Sequence, residues 1–445
     1  MSAVKIVLIG GGSANWGPMM VADLVLTDGL EGSTITLMDI DSEALQRVRR
    51  LSEMIVEKAN RSFTLEATTD RQEALQGADY VVVTISAGGF ETMKHDLAIP
   101  WKYGIRHSVG DTIGPGGLSR ALRNIPIFLD IAQDMEAICP QAWLINYSNP
   151  MTTICRAITK ETRIKTIGLC HELFGTMDLL QAIFDCPREA IKVRIGGVNH
   201  LIWIVDLKVD GKDGFPRLRG YLAENGLFNP MAPAAGSSPW VIFADRWAVK
   251  MDLFLTFGAL PAAGDRHVAE FFPCFITEGT NWGADFGLEL TTIAHRERLK
   301  EIVNEYIEKL LSGEQPLVLN QSREAASPII QSLETGEESI HVMNLPNRGQ
   351  IANLPREAVV ETMGVVGAHG AEGIAIGDLP TGVASIVRRI VDVQELTVEA
   401  GLTGDRALAL QAMRLDPMVT DWDAAEKMLG ELLEANCNWL PQFFD

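Results

Sequence analysis

The feature that most restricts the fold of this chain is a short apolar strand that runs directly into a run of glycines. Lys5–Ile9 has the residues of a buried strand, and three glycines and Ser13 follow before a helical pattern begins. Glycines at such a turn let the backbone approach a pyrophosphate, and the next helix offers unpaired N–H groups. We therefore expect Gly10, Gly12 and Ser13 to bind a dinucleotide, although Asn15 occupies the third glycine position of the Gly-x-Gly-x-x-Gly motif.

The first half of the chain alternates apolar strand patterns with helical patterns, which indicates a parallel sheet covered by helices on both faces. The prediction is a doubly wound, Rossmann-like α/β domain over residues 1–195, on the plan of lactate and malate dehydrogenases. The predicted strands are Lys5–Ile9, Ile35–Met38, Tyr80–Ile85, Trp143–Asn146 and Lys165–Gly168, and the clearest helices are Ser42–Ala59 and Ser119–Ala137.

Residues 196–445 have a different pattern, which predicts a mixed α/β domain for substrate binding and oligomerisation. One extended segment, Val198–Val209, ends in a tight turn, and Asn229–Pro239 has the composition of a surface loop. The remaining predicted elements are helices at Trp240–Phe257, Ile293–Leu311, Ser385–Gly401 and Asp423–Ala435, and strands at Ser339–Met343 and Ala358–Met363.

Composition and charge exclude several classes of partner. The formal net charge of −20 opposes binding to nucleic acid or anionic membranes, although a local arginine cluster can still bind a small anion. Six scattered cysteines form no Cys-x-x-Cys pair, and no apolar run has the length of a signal-peptide core or of a membrane helix. We therefore expect a soluble cytoplasmic protein that acts on a small molecule.

Further candidate cofactor residues follow the other predicted strands. Asp39 at the end of the second strand suits a ribose hydroxyl, which favours NAD over NADP. Ser86 and Gly88 follow the third strand, and Asn149 follows the fourth, where α/β sheets bind their ligands. Each of these residues could instead serve only a structural turn.

Two residues beyond the nucleotide loop could bind a metal. Cys170 follows a predicted strand and His200 follows the next strand candidate, and a thiolate with an imidazole suits a borderline divalent cation. A buried cysteine and a core histidine are the structural alternative. Two other polar stretches, Gly110–Gly117 and Gly264–Pro273, are expected to be loops that face a ligand.

Taken in order, these motifs resemble glycoside hydrolase family 4, the NAD- and metal-dependent glycosidases. The likeness is closest to the α-galacturonidase-like members, and a group of NAD-dependent sulfoquinovosidases is similar. The resemblance runs nearly end to end and rests on the glycine-rich start together with Asp111–Gly117, Asn146–Pro150, Cys170-His171, Asn199-His200 and Gly264–Pro273.

The resemblance implies hydrolysis through transient oxidation, an exception to the paired-carboxylate mechanism. NAD oxidises C3 of the sugar, a base removes the C2 proton, and the glycosidic oxygen is eliminated. Water then adds and C3 is reduced again. Cys170 and His200 match the family's metal ligands, usually for Mn2+, and the metal polarises the sugar oxygens.

The chain departs from the family pattern at the C2 base. Many members have a tyrosine in the region Gly264–Pro273, where this chain has phenylalanines. We hypothesise that His267 is the base, with Asp265 or a metal-bound hydroxide as alternatives. Asp111 and His171 are the candidates for protonating the leaving group.

An anionic sugar is expected because several arginines flank these motifs, and a planar guanidinium suits a carboxylate or sulfonate. The candidates are Arg106, Arg120, Arg123 and Arg266, with Asn149 and Asn199 as further substrate contacts. Surface or inter-subunit ion pairs are the alternative for the arginines. The resemblance also implies a homodimer or homotetramer.

Two functions of other classes stay open from the sequence. A metal-free 2-hydroxy-acid dehydrogenase would share the nucleotide domain, and a non-catalytic NAD or sugar sensor could have lost the tyrosine. Retention of both Cys170 and His200 argues against each of them.

Overall fold

The computed structural model describes residues 3–228 and 245–444, and the strands in these ranges form one thirteen-stranded sheet. The strands are β1 Lys5–Ile9, β2 Thr34–Met38, β3 Thr64–Thr68, β4 Tyr80–Val83, β5 Trp143–Asn146, β6 Lys165–Gly168, β7 Ile191–Val198, β8 Leu201–Val209, β9 Lys212–Asp213, β10 Leu260–Pro261, β11 Ser339–Pro346, β12 Val359–Gly367 and β13 Gly370–Gly373.

The first six strands form the parallel half of the sheet. Their spatial order is β3-β2-β1-β4-β5-β6, which is the order of a dinucleotide-binding Rossmann sheet. In β1 the residues from Ile6 to Ile9 are all buried, because helices cover both faces of the sheet. The predicted doubly wound fold is confirmed.

The parallel half differs from the prediction at two places. β3 was not predicted, because Thr64 and Glu66 are exposed on an edge strand and so break the apolar pattern. The third predicted strand ends at Val83 rather than Ile85, whose N–H leaves the ladder and donates to Ser148 Oγ at 2.8 Å.

The antiparallel half continues the same sheet in the order β6-β11-β12-β7-β8-β10. The predicted extended segment Val198–Val209 is confirmed over Leu201–Val209, which is β8, but Val198 ends β7 and Asn199-His200 forms the turn of a β7–β8 hairpin. Asn199 is a common turn residue, but the usual Asn-Gly pair is absent, because the next residue is His200, which adopts a φ of 64°.

The helices cover this sheet and mostly agree with the predicted positions. They are α1 Trp16–Leu26, α2 Ser42–Ala59, α3 Arg71–Leu75, α4 Gly89–Lys102, α5 Gly114–Ile138, α6 Met151–Glu161, α7 Glu172–Phe184, α8 Phe215–Asn225, α9 Ala248–Phe257, α10 Asp265–Phe271, α11 Ile293–Leu311, α12 Ala326–Thr335, α13 Thr381–Thr403, α14 Arg406–Leu415 and α15 Trp422–Ala435. The predicted loop Asn229–Pro239 and the start of the predicted helix Trp240–Phe257 lie outside the described residues.

Helix α5 begins earlier than predicted and includes four residues of the expected loop Gly110–Gly117. A Cβ on Gly117 would lie 2.4 Å from the carbonyl carbon of Thr112, and one on Gly116 would lie 2.9 Å from the Asp96 carbonyl oxygen. The glycines therefore allow the helix to start tightly against its preceding loop and against α4.

Residues on both sides of position 195 share one hydrophobic core. Val303, Ile307 and Met343 pack in the same buried cluster as Ile6 and Leu8 of β1. The division of the chain into domains 1–195 and 196–445 stays a prediction. Among the described helices, none has both the length and the apolar composition needed to cross a membrane.

Candidate active site

The glycine-rich turn after β1 packs too closely for side chains. Gly10 has a φ of 90°, and a Cβ there would lie 2.7 Å from the Thr84 carbonyl oxygen. Gly12 donates its N–H to Asp39 Oδ2 at 2.9 Å, which fixes that carboxylate beside the turn. A Cβ on Gly17 in α1 would lie 2.7 Å from the Gly11 carbonyl oxygen, so Gly17 has the helix-packing role of the missing third glycine.

The other predicted cofactor residues follow β4 and β5, at the same edge of the parallel sheet. Ser86 is exposed, and Gly88 adopts a φ of 73° immediately before α4. Asn149 donates from Nδ2 to Asp111 Oδ2 at 3.3 Å, so it lies between the nucleotide loops and the next group of side chains. This edge holds the carboxyl ends of the strands, where Rossmann sheets bind dinucleotides.

Three ionisable side chains from distant parts of the chain meet beside this edge. The ligand atoms of Asp111, His200 and His267, which we call the Asp–His cluster, all lie within 4.8 Å of one another. The two imidazole rings are 3.7 Å apart between centroids. His200 is delivered by the β7–β8 hairpin and His267 by the first turn of α10.

Thr112 holds two members of this cluster together. Its hydroxyl donates to Asp111 Oδ1 at 2.7 Å and lies 2.8 Å from His200 Nδ1. Since the hydroxyl proton is given to Asp111, His200 is the donor at Nδ1 and keeps a lone pair on Nε2. A histidine that binds a metal through Nε2 needs this tautomer.

Charge keeps the two carboxylates of the site ionised. Burial alone would raise the pKa of Asp111, but His267, His200 and Arg120 outweigh it and lower that pKa below the usual range. The same balance, with the histidines dominant over burial, lowers the pKa of Glu172 to about 2. Asp111 also accepts its hydrogen bonds from Thr112 and Asn149, so its predicted role as a proton donor is not supported.

Glu172 lies behind His267. Its Oε1 is 3.7 Å from His267 Nε2, and its Oε2 accepts the Gly264 N–H at 2.6 Å. The other ring nitrogen, His267 Nδ1, is buried and has no hydrogen-bond partner among the described residues. This arrangement leaves one nitrogen of His267 available to a ligand and the other beside a carboxylate.

Cys170 lies next to a buried polar row. Gly168, Asn344, Glu361 and Gly197 are aligned across β6, β11, β12 and β7. Burial, together with the Glu361 and Glu172 charges, raises the pKa of the Cys170 thiol well above its usual value, although Asn199 partly counteracts this. Among the described residues, the ligand atoms that lie within 4.8 Å of one another do not include the Cys170 sulfur.

The loop that carries Asp111 is held by a second buried pair. Glu270 accepts the N–H groups of Val109 and Gly110 at 2.8 and 2.9 Å, and its Oε1 lies 3.1 Å from His107 Nδ1. His107 and Glu270 are almost completely buried. Sequence reasoning assigned no role to either residue: Glu270 lies within the motif Gly264–Pro273 and His107 just before Gly110–Gly117, but the sequence does not show that the two side chains meet.

Asp265 does not face the cluster, which corrects its prediction as an alternative base. Its carboxylate accepts the N–H groups of Val249 and Lys250 at 2.8 and 3.0 Å, where α9 begins. Burial beside Asp245 raises its pKa. The residue therefore joins α9 to α10.

Three of the four predicted anion-binding arginines have structural contacts instead. Arg106 stacks on Trp282, and the distance from the guanidinium carbon of Arg106 to the centroid of the Trp282 ring is 3.6 Å. Arg123 is buried and donates to both carboxylate oxygens of Asp96, at 2.8 and 2.6 Å.

Arg266 donates to the carbonyl oxygens of Glu289 and Ser108 and to Thr291 Oγ1, so its predicted substrate contact is not supported. Arg120 remains near Asp111 and uses only Nε to bind the Asn149 carbonyl oxygen, at 3.0 Å.

His171 and the tyrosines complete the list of proton-transfer candidates. His171 is 54% exposed at its side chain and contacts Glu324 at 3.2 Å, and this hydrogen bond raises its pKa. The hydroxyls of Tyr80 and Tyr103 bind Glu334 and Glu431, and that of Tyr147 accepts the Ala326 N–H. These three phenols are committed away from the Asp–His cluster.

The residues present fit a divalent cation. The Asp–His cluster offers one carboxylate and two imidazoles, a nitrogen and oxygen donor set suited to first-row metals. The tautomer of His200, which leaves Nε2 free, is what a ligand site would show, and the unpartnered Nδ1 of His267 is open to a cation or to a substrate proton.

The fold and this cluster place the chain among enzymes built on a dehydrogenase-like sheet. Residues 5–186 match the model of the family 4 glycosyl hydrolases, and residues 195–419 match that of the family 4 glycosyl hydrolase C-terminal domain. The chain belongs to glycosyl hydrolase family 4, which confirms the expected family and enzyme class.

Several relatives span nearly the whole chain. An alpha-galacturonidase from Bacillus subtilis (strain 168) is 35% identical and covers 98% of both chains, and an alpha-galactosidase from the same strain is 34% identical over 99% of both. The crystal structure of lplD from Bacillus subtilis has a TM-score of 0.89 and 34% identity, covering 97% of this chain and 100% of that one.

A 6-phospho-beta glucosidase from Thermotoga maritima, solved with manganese, NAD+ and glucose-6-phosphate, has a TM-score of 0.80 at 25% identity over 98% and 99% of the two chains.

Proposed function

We propose that this chain is an NAD- and Mn2+-dependent glycosidase that cleaves α-galacturonides. The observation that carries the proposal is the Asp–His cluster beside the sheet edge that bears the glycine-rich turn. The alpha-galacturonidase relative supports the substrate, and the Thermotoga maritima structure supports both cofactors. The expected homodimer or homotetramer and the expected cytoplasmic location stay predictions.

Two groups of residues would hold the cofactors. Gly10, Gly12, Ser13 and Asp39, with Ser86, Gly88 and Asn149, line the edge proposed for NAD. His200 would bind the cation through Nε2, together with Cys170 as the resemblance implies and with Asp111 as the geometry adds. When bound, NAD supplies reversible oxidation at C3 and the cation supplies electrophilic polarisation of the sugar oxygens.

The proton chemistry falls to the chain's own histidines. His267 Nδ1 would take the C2 proton, and ionised Glu172 beside Nε2 would stabilise the resulting imidazolium. His171, whose pKa is raised by Glu324, would protonate the leaving oxygen. Asn199, buried beside Cys170, remains a candidate substrate contact.

The proposal is tested by turnover of 4-nitrophenyl α-D-galacturonide with NAD and Mn2+ supplied or withheld. We expect hydrolysis that needs catalytic NAD, accumulates no NADH and is lost when EDTA removes the metal. Stoichiometric NADH would indicate a dehydrogenase, and activity indifferent to EDTA would remove the metal from the mechanism. An α-sulfoquinovoside assayed in parallel tests the sulfonate alternative.

A His267→Gln variant separates the role of base from that of metal ligand. A general base contributes about 10²- to 10⁴-fold, so the variant is expected to lose that much turnover together with deuterium incorporation at C2 in D2O. Mn2+ affinity, measured by calorimetry, is expected to stay within about threefold, because His200 and Asp111 remain.

The matched control is His95→Gln, since His95 lies on α4 and contacts Asn436 at 3.2 Å. A loss of Mn2+ affinity of about 100-fold in His267→Gln would make His267 a ligand instead. Full deuterium exchange in that variant would refute the base role.

A further inference from the structure

Arg296 is an arginine near the site for which sequence reasoning gave no role. It lies in the first turn of α11, and its Nε is buried without a hydrogen-bond partner among the described residues. A buried donor left unpaired is costly, so a folded chain rarely keeps one without a reason. By contrast, Arg298 on the same helix is exposed and pairs with Glu301 at 3.1 Å.

The start of α11 is fixed to the loop that carries Asp111. Thr291 donates its N–H to the His107 carbonyl oxygen at 3.3 Å and its hydroxyl to the Ser108 carbonyl oxygen at 2.8 Å. Arg266, the neighbour of His267, donates to Thr291 Oγ1 at 2.6 Å. Arg296 is therefore held at a defined place beside the Asp–His cluster.

Arginines lie close to one another at this place, together with carboxylates such as Asp111 and Glu289. After burial, the strongest effect that lowers the pKa of Arg266 is the charge of Arg296, and Arg296 also lowers the pKa of Arg120. Arg266 is bound to main-chain carbonyls and Thr291, whereas Arg120 binds protein through Nε. Among the described residues, the donor groups of this set without a protein partner thus belong to Arg296 and Arg120.

We propose that Arg296, together with Arg120, binds the anionic group at C6 of the sugar. This inference rests on the proposed glycosidase function and adds the residue that selects an acidic over a neutral sugar. The guanidinium forks match a planar carboxylate, and a bound anion would both satisfy the buried Nε and relieve the repulsion between the arginines.

The test compares wild type with Arg296→Met, both supplied with NAD and Mn2+, on 4-nitrophenyl α-D-galacturonide and the corresponding neutral α-D-galactoside. We expect the ratio of kcat/KM for the uronide over the galactoside to fall about ten- to a hundredfold, the value of a charge-assisted hydrogen bond. Arg298→Met is the matched control and should leave the ratio unchanged.

Thermal unfolding separates binding from a structural role. Arg296→Met should keep the wild-type midpoint without ligand, because an unpaired and repelled charge is removed. Free D-galacturonate should raise the midpoint of wild type and of Arg298→Met but not that of Arg296→Met. If an α-sulfoquinovoside rather than D-galacturonate raised the midpoint, and only when Arg296 is present, the anion site would be supported and its anion would be a sulfonate.

An unchanged substrate ratio in Arg296→Met, or a lowered midpoint with equal loss on both substrates, would overturn the role of Arg296. If wild type hydrolysed only the galactoside, the proposed substrate itself would fail, and the anion site with it. Absence of any glycoside hydrolysis in wild type would instead refute the proposed function.

Discussion

Replacing Thr112 by valine tests whether the site is prepared for a metal before the metal binds. Valine keeps the shape of the buried side chain but removes the hydroxyl that joins Asp111 and His200 at 2.7 and 2.8 Å. Asp111 retains the longer bond from Asn149, at 3.3 Å, whereas His200 loses the contact that fixes its tautomer. His200 would therefore have to be ordered by the metal itself, and Asp111 would be held less firmly than in the wild type.

The expected magnitude follows from the two lost contacts. A bond to a neutral group contributes about 0.5–1.5 kcal/mol and one to a charged group about 1.5–3 kcal/mol. When Mn2+ binds, the metal itself orders the two ligands and so recovers part of this energy. The free energy of Mn2+ binding is therefore expected to be weaker by about 1.4–2.8 kcal/mol, which is a ten- to hundredfold loss of affinity. Isothermal titration of the purified protein with Mn2+ measures this change directly.

The control is Thr166→Val, which removes a buried hydroxyl bond of 3.0 Å on β6 without touching the Asp–His cluster. Thr112→Val must also keep its thermal midpoint close to that of the control. Mn2+ affinity within twofold of wild type in Thr112→Val would show that the hydroxyl does not position the ligands. An equal loss in both variants would point to general loosening of the sheet.

Two further predictions concern buried charges away from the cluster. Arg123→Met leaves the fully buried Asp96 carboxylate unpaired and should lower the free energy of unfolding by about 3–5 kcal/mol without changing the uronide preference; a changed preference would return Arg123 to the substrate site. Burial raises the pKa of Asp416 to about 6, above its unfolded value. Its protonated form therefore stabilises the fold at low pH, and about 3 kcal/mol is lost as the pH rises from 4 to 7. In Asp416→Asn, the free energy of unfolding measured in urea should lack this decrease between pH 4 and 7. An unchanged dependence on pH would contradict the assignment.

The parallel half of the fold was predictable because its strands are buried on both faces. Continuous apolar runs such as Lys5–Ile9 and Trp143–Asn146 record that burial directly in the sequence. The edge strand Thr64–Thr68 and the Asn199-His200 hairpin turn were not predictable in the same way. Their residues are set by solvent exposure and by tertiary contacts, which leave no periodic pattern.

The site shows the same division. His200 and His267 could be proposed from motifs, but the residues that orient them, Thr112 and Glu172, are recognisable only from distances. Arginines near a motif all look alike in sequence, and only the structure separates Arg123, whose two terminal nitrogens bind the Asp96 carboxylate, from Arg296, which has no carboxylate partner among the described residues. Whether a charged group is already satisfied is a property of the fold, not of the local sequence.

This distinction bears on the substrate, because overall similarity cannot choose it. The alpha-galacturonidase and alpha-galactosidase relatives differ by one percentage point of identity, although one name denotes an acidic sugar and the other a neutral one. A carboxylate on the sugar would pair with the buried Nε of Arg296 and weaken the repulsion between Arg296 and its neighbours Arg120 and Arg266, whereas a neutral sugar would do neither. In a chain of net charge −20, a group of neighbouring arginines at the catalytic edge favours an acidic ligand. The electrostatics of the site, rather than the degree of identity, therefore argue for the uronide.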